Sequence, residues 1–177
     1  MTAIEQPEPT RKNILLIPLA FLSLLLSGAI FGFFYAWICS TMWGLDAADP
    51  KVAIAAMQAM NASVRNAVFA PAFFGTPFIL IVTAAIAWTS SRRSALLLAL
   101  AGVIYFFGGV VLTFTVNVQM NEALALVTIP ESIEEARQIW QEYSEPWQFW
   151  NIMRTIASGI TLLLTGCAFL TLRGGKG

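Results

Sequence analysis

The stretch Ile14-Leu-Leu-Ile-Pro-Leu-Ala-Phe-Leu-Ser-Leu-Leu-Leu-Ser-Gly-Ala-Ile-Phe-Gly-Phe-Phe-Tyr-Ala-Trp-Ile-Cys-Ser40 carries no charge. A helix rises 1.5 Å per residue, so about 20 apolar residues cross a hydrocarbon slab roughly 30 Å thick. This stretch is long enough, and it lacks the in–out alternation of a barrel strand. Its apolar length also exceeds the roughly 7–15 residues of a signal-peptide core, and no small-residue cleavage site follows. It reads as a mature membrane helix. Charge is missing again over 66–91, 94–121 and 155–172. Lipid offers the backbone no hydrogen bonds, so each run must satisfy its own polar groups as a helix. The spacing predicts four transmembrane helices near 14–40, 66–90, 94–121 and 147–172.

Composition agrees. Of 177 residues, 58% are hydrophobic and 11% are charged, against about 25% charged in ordinary soluble domains. Ten basic residues balance ten acidic ones, which removes the basic patch that nucleic-acid binding requires. There is no histidine, so imidazole-ligated metals and Ser-His or Cys-His catalysis are excluded. Two cysteines are too few for a Cys-only zinc site or an iron–sulfur cluster. Cys39 and Cys167 fall near opposite membrane borders, too far apart for a disulfide.

The basic residues Arg11, Lys12, Arg92, Arg93, Arg173 and Lys176 share one side of a four-helix topology. The positive-inside rule then places both termini in the cytoplasm of a multi-pass plasma-membrane protein. Residues 1–13 and 173–177 read as mobile tails around one transmembrane domain over 14–172. Asp49-Pro50 reads as an N-cap with Pro at N1. It starts an outer helix that continues toward helix two, with a bend at Pro71 or Pro77. Ile133, Ala136, Trp140 and Tyr143 recur at helical spacing and give a second short outer helix, with Pro146 starting helix four. The fold class is therefore all-α: a polytopic four-helix bundle with amphipathic outer helices between helices one and two and between three and four. Gly28, Gly32 and Ala36, and again Gly108-Gly109, read as close-packing positions. Trp88 reads as an interfacial anchor.

The outer half holds the chemistry. Trp147, Trp150, Asn151, Arg154 and Ser158 share one face of helix four, and Arg154 lies two turns inside Pro146. A charge at that depth faces the bundle interior and takes a partner. Asn117 and Asn121 share a face of helix three, with Thr113 a turn deeper and Glu122 adjacent. Asn61, Arg65 and Asn66 stand near the start of helix two, and Tyr35 near the outer end of helix one. Together they suggest one polar chamber. The competing reading is purely structural: an Arg154–Glu122 ion pair with amide hydrogen bonds, locking the outer helices to the bundle.

Gly28-Ala-Ile-Phe-Gly-Phe-Phe-Tyr35, Thr41-Met-Trp-Gly44, Ala56-Met-Gln-Ala-Met-Asn61, Asn66 and Phe73-Phe-Gly75 form the first part of a familiar pattern. Asn117-Val-Gln-Met-Asn121, Trp140, Tyr143, Trp147 and Trp150-Asn-Ile-Met-Arg154 form the second. With these elements the chain resembles the anthrone oxygenase-like family of small four-helix membrane proteins. The resemblance leads one to expect Pro where Gln119 and Trp43 stand. Fungal members are associated with oxidising anthrones to anthraquinones. The activity so implied is cofactor-free oxygenation: a base removes a proton, and the enolate reacts with oxygen. Glu122 is then the first candidate base and Tyr35 the second. Arg154, Asn151 and Asn117 are candidate oxyanion donors. Trp147 and Trp150 would stack on a flat ring, with Asn121, Asn61, Arg65 and Asn66 completing the binding site. The expected partners are the lipid bilayer and a lipophilic aromatic molecule, with an oligomer left open. The alternatives are a non-catalytic membrane component that packs against a protein or lipid, and a small transporter. The transporter lacks a polar stripe toward the cytoplasmic side, since only Thr161 and Thr165 follow Ser158 on helix four.

Overall fold

A computed structural model describes residues 11–174, and side chains within 14–172. The expected tails lie largely outside those residues. The chain is helical throughout: α1 (Arg11–Ala36), α2 (Met42–Asp46), α3 (Pro50–Ser63), α4 (Phe69–Ala87), α5 (Arg92–Tyr105), α6 (Val118–Ala125) and α7 (Ile133–Gly174). Among the described residues there is no strand. Three π-helical segments, Trp37–Thr41, Phe106–Val111 and Thr113–Asn117, join the α-helical pieces into longer rods. Four rods are long and apolar enough to cross a membrane: Ile14–Asp46, Phe69–Ala87, Arg92–Ala125 and Ile133–Leu172.

Neighbouring rods pack as a ring. α1 touches α4 and α7, and α5 touches α4 and α7, while the diagonal pairs α1–α5 and α4–α7 do not meet. This is an up-and-down four-helix bundle. Its outward faces are apolar: Leu25, Phe78, Leu163 and Leu170 are all more than two-thirds exposed. Its interior is furnished with small hydroxyls. Ser23 and Thr83 share a hydrogen bond of 3.0 Å, Ser94 and Thr171 share one of 2.6 Å, and Thr161 donates to the Ala101 carbonyl at 3.3 Å. Apolar outside with small polar residues inside is the pattern of helices that associate in lipid. It fits a small multi-pass membrane protein.

At the end away from the termini, α2, α3, α6 and the first turns of α7 form a cap around Ile54, Met57, Leu124, Trp140 and Trp147. Asp49 caps α3 as its sequence predicts, its carboxylate accepting from the Lys51 N–H at 2.9 Å ahead of Pro50 at N1. The two connections hold each other: the Gln58 side chain donates to the Leu124 and Val127 carbonyls at 2.8 and 2.9 Å, closing the end of α6. Ser132 starts α7, its hydroxyl accepting from the Glu135 N–H, with Glu134 and Glu135 in the first turn. That arrangement suits the positive end of the helix dipole.

Several expectations change. α3 does not run on into the second membrane helix. It stops at Ser63, and Asn66 accepts from the N–H groups of Val68 and Phe69 to begin α4 anew. The second outer helix is not separate. It forms the first turns of the 42-residue α7, which passes through Pro146. The physical reason is a side-chain staple across the proline. Asp46 accepts from Trp140 Nε1 at 2.9 Å, Ser144 Oγ at 2.7 Å and Gln148 Nε2 at 2.9 Å, gripping α7 on both sides of the break. The small residues of helix one are not a close-packing device. A methyl group added at Gly32 meets nothing within 4 Å, and one at Gly28 meets only Leu162, at 4.0 Å. The tight approach is at Gly108, where a Cβ would lie 2.5 Å from that of Ala157.

Candidate functional site

A cavity of about 600 Å³ opens at the capped end of the bundle, among the rods that contain α1, α4, α6 and α7. Its walls are aromatic: Phe33, Phe34 and Trp37 from the first rod, Phe69, Phe73 and Phe74 from α4, Phe114 from the third rod, and Trp147 from α7. Phe33 lies against Phe69 with ring centroids 4.6 Å apart, and Trp37 against Trp147 at 5.1 Å. Asn61, Arg65, Asn66, Asn121 and Glu122 add polar groups where α3 and its connection face α6, and Thr113 and Arg154 add polar groups further along the rods. The volume lies within the range of small-molecule sites, roughly 300–1,000 Å³.

Arg154 is 5% exposed. Its guanidinium donates to Asn151 Oδ1 at 2.9 Å and to Thr113 Oγ1 at 3.3 Å. The guanidinium carbon stands 4.7 Å from the Phe34 ring centroid and 5.3 Å from that of Trp147, cation–π contacts that partly replace lost hydration. Asn151 is held in turn by donating to the Phe34 carbonyl at 3.1 Å. The Arg154–Glu122 ion pair does not form. Glu122 instead pairs with Arg65, just beyond the end of α3, and both side chains are more than half exposed. Arg65 reaches Glu122 because α3 and α6 pack side by side, whereas Arg154 lies two turns into the bundle.

Asn121 organises the site from α6. Its Oδ1 accepts from the Tyr143 hydroxyl and from Trp147 Nε1, both at 2.9 Å, and Asn61 donates to the Tyr143 oxygen at 3.3 Å. An indole N–H can only donate, so this geometry fixes which end of the Asn121 amide faces Trp147. Asn117 is fully buried, and both polar atoms of its amide lack partners among the described residues.

The structure therefore brings Asn61, Arg65, Asn66, Asn121, Glu122, Trp147 and Arg154 onto one cavity, with Asn151 directly behind Arg154. Asn117 is buried but does not line it. Tyr35 is half-exposed and stacks on Phe31, outside the cavity. Trp150 stands beside Phe149, also outside. Of the aromatic lining, Trp147 is legible in the sequence; the phenylalanines are not, since nothing in the apolar runs sets them apart from outward-facing ones. The π-helical segments were missed too. A π turn widens the helix and frees carbonyls, and such turns recur at functional sites. Here hydroxyls reach those carbonyls: Thr113 donates to Gly109 at 2.6 Å, Thr115 to Val111 at 2.9 Å and Thr41 to Ala36 at 3.3 Å.

Fold and cavity define a class: a small bundle of four membrane-length helices with an aromatic-walled cavity and a buried arginine at one end. Residues 60–164, more than half the chain, match the model of the anthrone oxygenase family, and the chain belongs to that family. The match includes every cavity residue from α4 onward and leaves out the first-rod elements Gly28–Tyr35 and Thr41–Gly44. No curated protein and no solved structure matches the chain.

Proposed function

We propose that the protein spans the plasma membrane with both termini in the cytoplasm, and that its outer cavity binds a lipophilic aromatic or quinone-like molecule. The reaction would be cofactor-free oxygenation of an anthrone-like phenol. The observation that carries this reading is the union, on one cavity, of aromatic walls, a buried guanidinium and a rim carboxylate. Flat rings suit walls built from Phe and Trp. Glu122, held at the rim by its ion pair with Arg65, takes a proton from the methylene carbon. The charge passes to the carbonyl oxygen, where Arg154, steadied by Asn151 and Thr113, stabilises it. Oxygen adds to the carbanionic carbon, and the peroxide takes back the proton held by Glu122 to give a hydroperoxide. Loss of water leaves the quinone carbonyl, so one O₂ is consumed and one water released for each CH₂ converted to C=O. Trp147 and Asn121 hold the ring, and Tyr35 and Trp150 take no part.

A second reading has support in the bonds from Arg154 to Asn151 and Thr113: a non-catalytic component whose polar network only braces the helices. Oxygen uptake by purified protein with anthrone separates the two. The oxygenase reading expects one O₂ per quinone at a rate well above the detergent blank. Glu122→Gln should lower that rate by about 10²–10⁴-fold, the usual contribution of a general base. Uptake equal to the blank for well-folded wild type supports the bracing reading instead.

A further inference from the structure

Arg154 is a buried cation with no buried anion among the described residues. Its hydrogen-bond partners, Asn151 Oδ1 and Thr113 Oγ1, are neutral, its other neighbours are the faces of Phe34 and Trp147, and its Nε has no partner among the described residues. Glu122, the one carboxylate lining the cavity among the described residues, is committed to Arg65, and Asp46, outside it, to Trp140, Ser144 and Gln148. An ionised group removed from water without a counter-charge is costly, and desolvated cation–π contacts, worth about 2 kcal/mol or somewhat more, offset only part of that cost. One further donor faces the cavity. Asn121 uses its oxygen for Tyr143 and Trp147, which leaves its NH₂ free of partners among the described residues.

We infer that the molecule this cavity takes is a planar aromatic anion, an arene carrying an ionised carboxylate or acidic phenol, whose charge completes the Arg154 ion pair between Phe34 and Trp147. This rests on the reading of the cavity as an aromatic-binding site and adds a charge requirement to it. The aromatic walls select the flat ring, and the guanidinium selects the sign of its substituent. A charge-assisted pair in a desolvated site outweighs the same contact to a neutral amide by an order of magnitude or more in affinity. Glu122, the cavity's own negative group, sits at the rim already neutralised by Arg65, so it does not repel such a ligand.

The test uses two probes of the same shape, anthraquinone-2-carboxylate and anthraquinone-2-carboxamide, titrated into the full-length protein in a neutral detergent. Binding is read by quenching of tryptophan fluorescence, with a protein-free micelle titration subtracted. Wild type should bind the carboxylate at least about tenfold tighter than the amide. Arg154→Gln should abolish that preference, so that the carboxylate binds no tighter than the amide. Equal affinities in wild type would overturn the charge requirement while leaving the aromatic cavity standing. Failure of both probes to bind would overturn the cavity reading itself. Because the wild-type comparison needs no variant, a poorly folded Arg154→Gln protein does not remove the test.

Discussion

Pro77 has no N–H for the carbonyl of Phe73, four residues before it, and the Tyr105 hydroxyl donates to that carbonyl at 3.1 Å instead. Tyr105 is fully buried, so its one polar group is spent on repairing α4. Tyr105→Phe should therefore lower stability by about 1–3 kcal/mol, the cost of an unpaired buried carbonyl. Thermal unfolding in detergent would show it, and no change would mean that the carbonyl finds another donor. The proline gap was legible in the sequence, but its repair was not, because the repairing group comes from a neighbouring helix. Arg154 follows the same rule. Its depth could be counted from Pro146, and its inward face followed from the helical period. Its partners could not, since Glu122 and Arg65 meet only once α3 and α6 have packed.

The helical rods are legible as runs without charge, yet their joints are not. α7 continues through Pro146 because Asp46, about a hundred residues earlier, holds Trp140, Ser144 and Gln148 on either side of it, and local propensity contains no record of that grip. Glycine spacing misled in a similar way. Gly28, Gly32 and Ala36 have the pattern of a packing seam, but Gly32 faces open space while Gly108 lies against Ala157. Two substitutions should consequently differ in sign. Gly32→Ala should stabilise by up to about 1 kcal/mol by removing backbone freedom from a helix. Gly108→Ala should destabilise by about 1–3 kcal/mol through overpacking against α7. Unfolding midpoints of the two variants, measured side by side, would reveal an equal or inverted order if the rods were packed differently.

For the whole molecule, four apolar rods form a ring, and two connecting segments close one end over a cavity. The ring was predictable because lipid restricts the backbone to a few solutions. The cavity was only partly so: its polar residues stood out against an apolar chain, while its phenylalanines were indistinguishable from lipid-facing ones. Orientation is open to direct measurement. With exposed Cys39 and Cys167 replaced by serine, a single cysteine in place of Glu134 should react with an impermeant maleimide added to intact cells, and protection would reverse the topology. The claim that the cavity is the binding site is tested most directly by irradiating the full-length protein with a photoreactive anthraquinone and locating the adducts by mass spectrometry. The account predicts adducts concentrated on Phe69, Phe73, Phe74, Phe114 and Trp147, and suppressed by excess unreactive anthraquinone. Adducts spread over the outward-facing residues Leu25, Phe78, Leu163 and Leu170, without such competition, would contradict it.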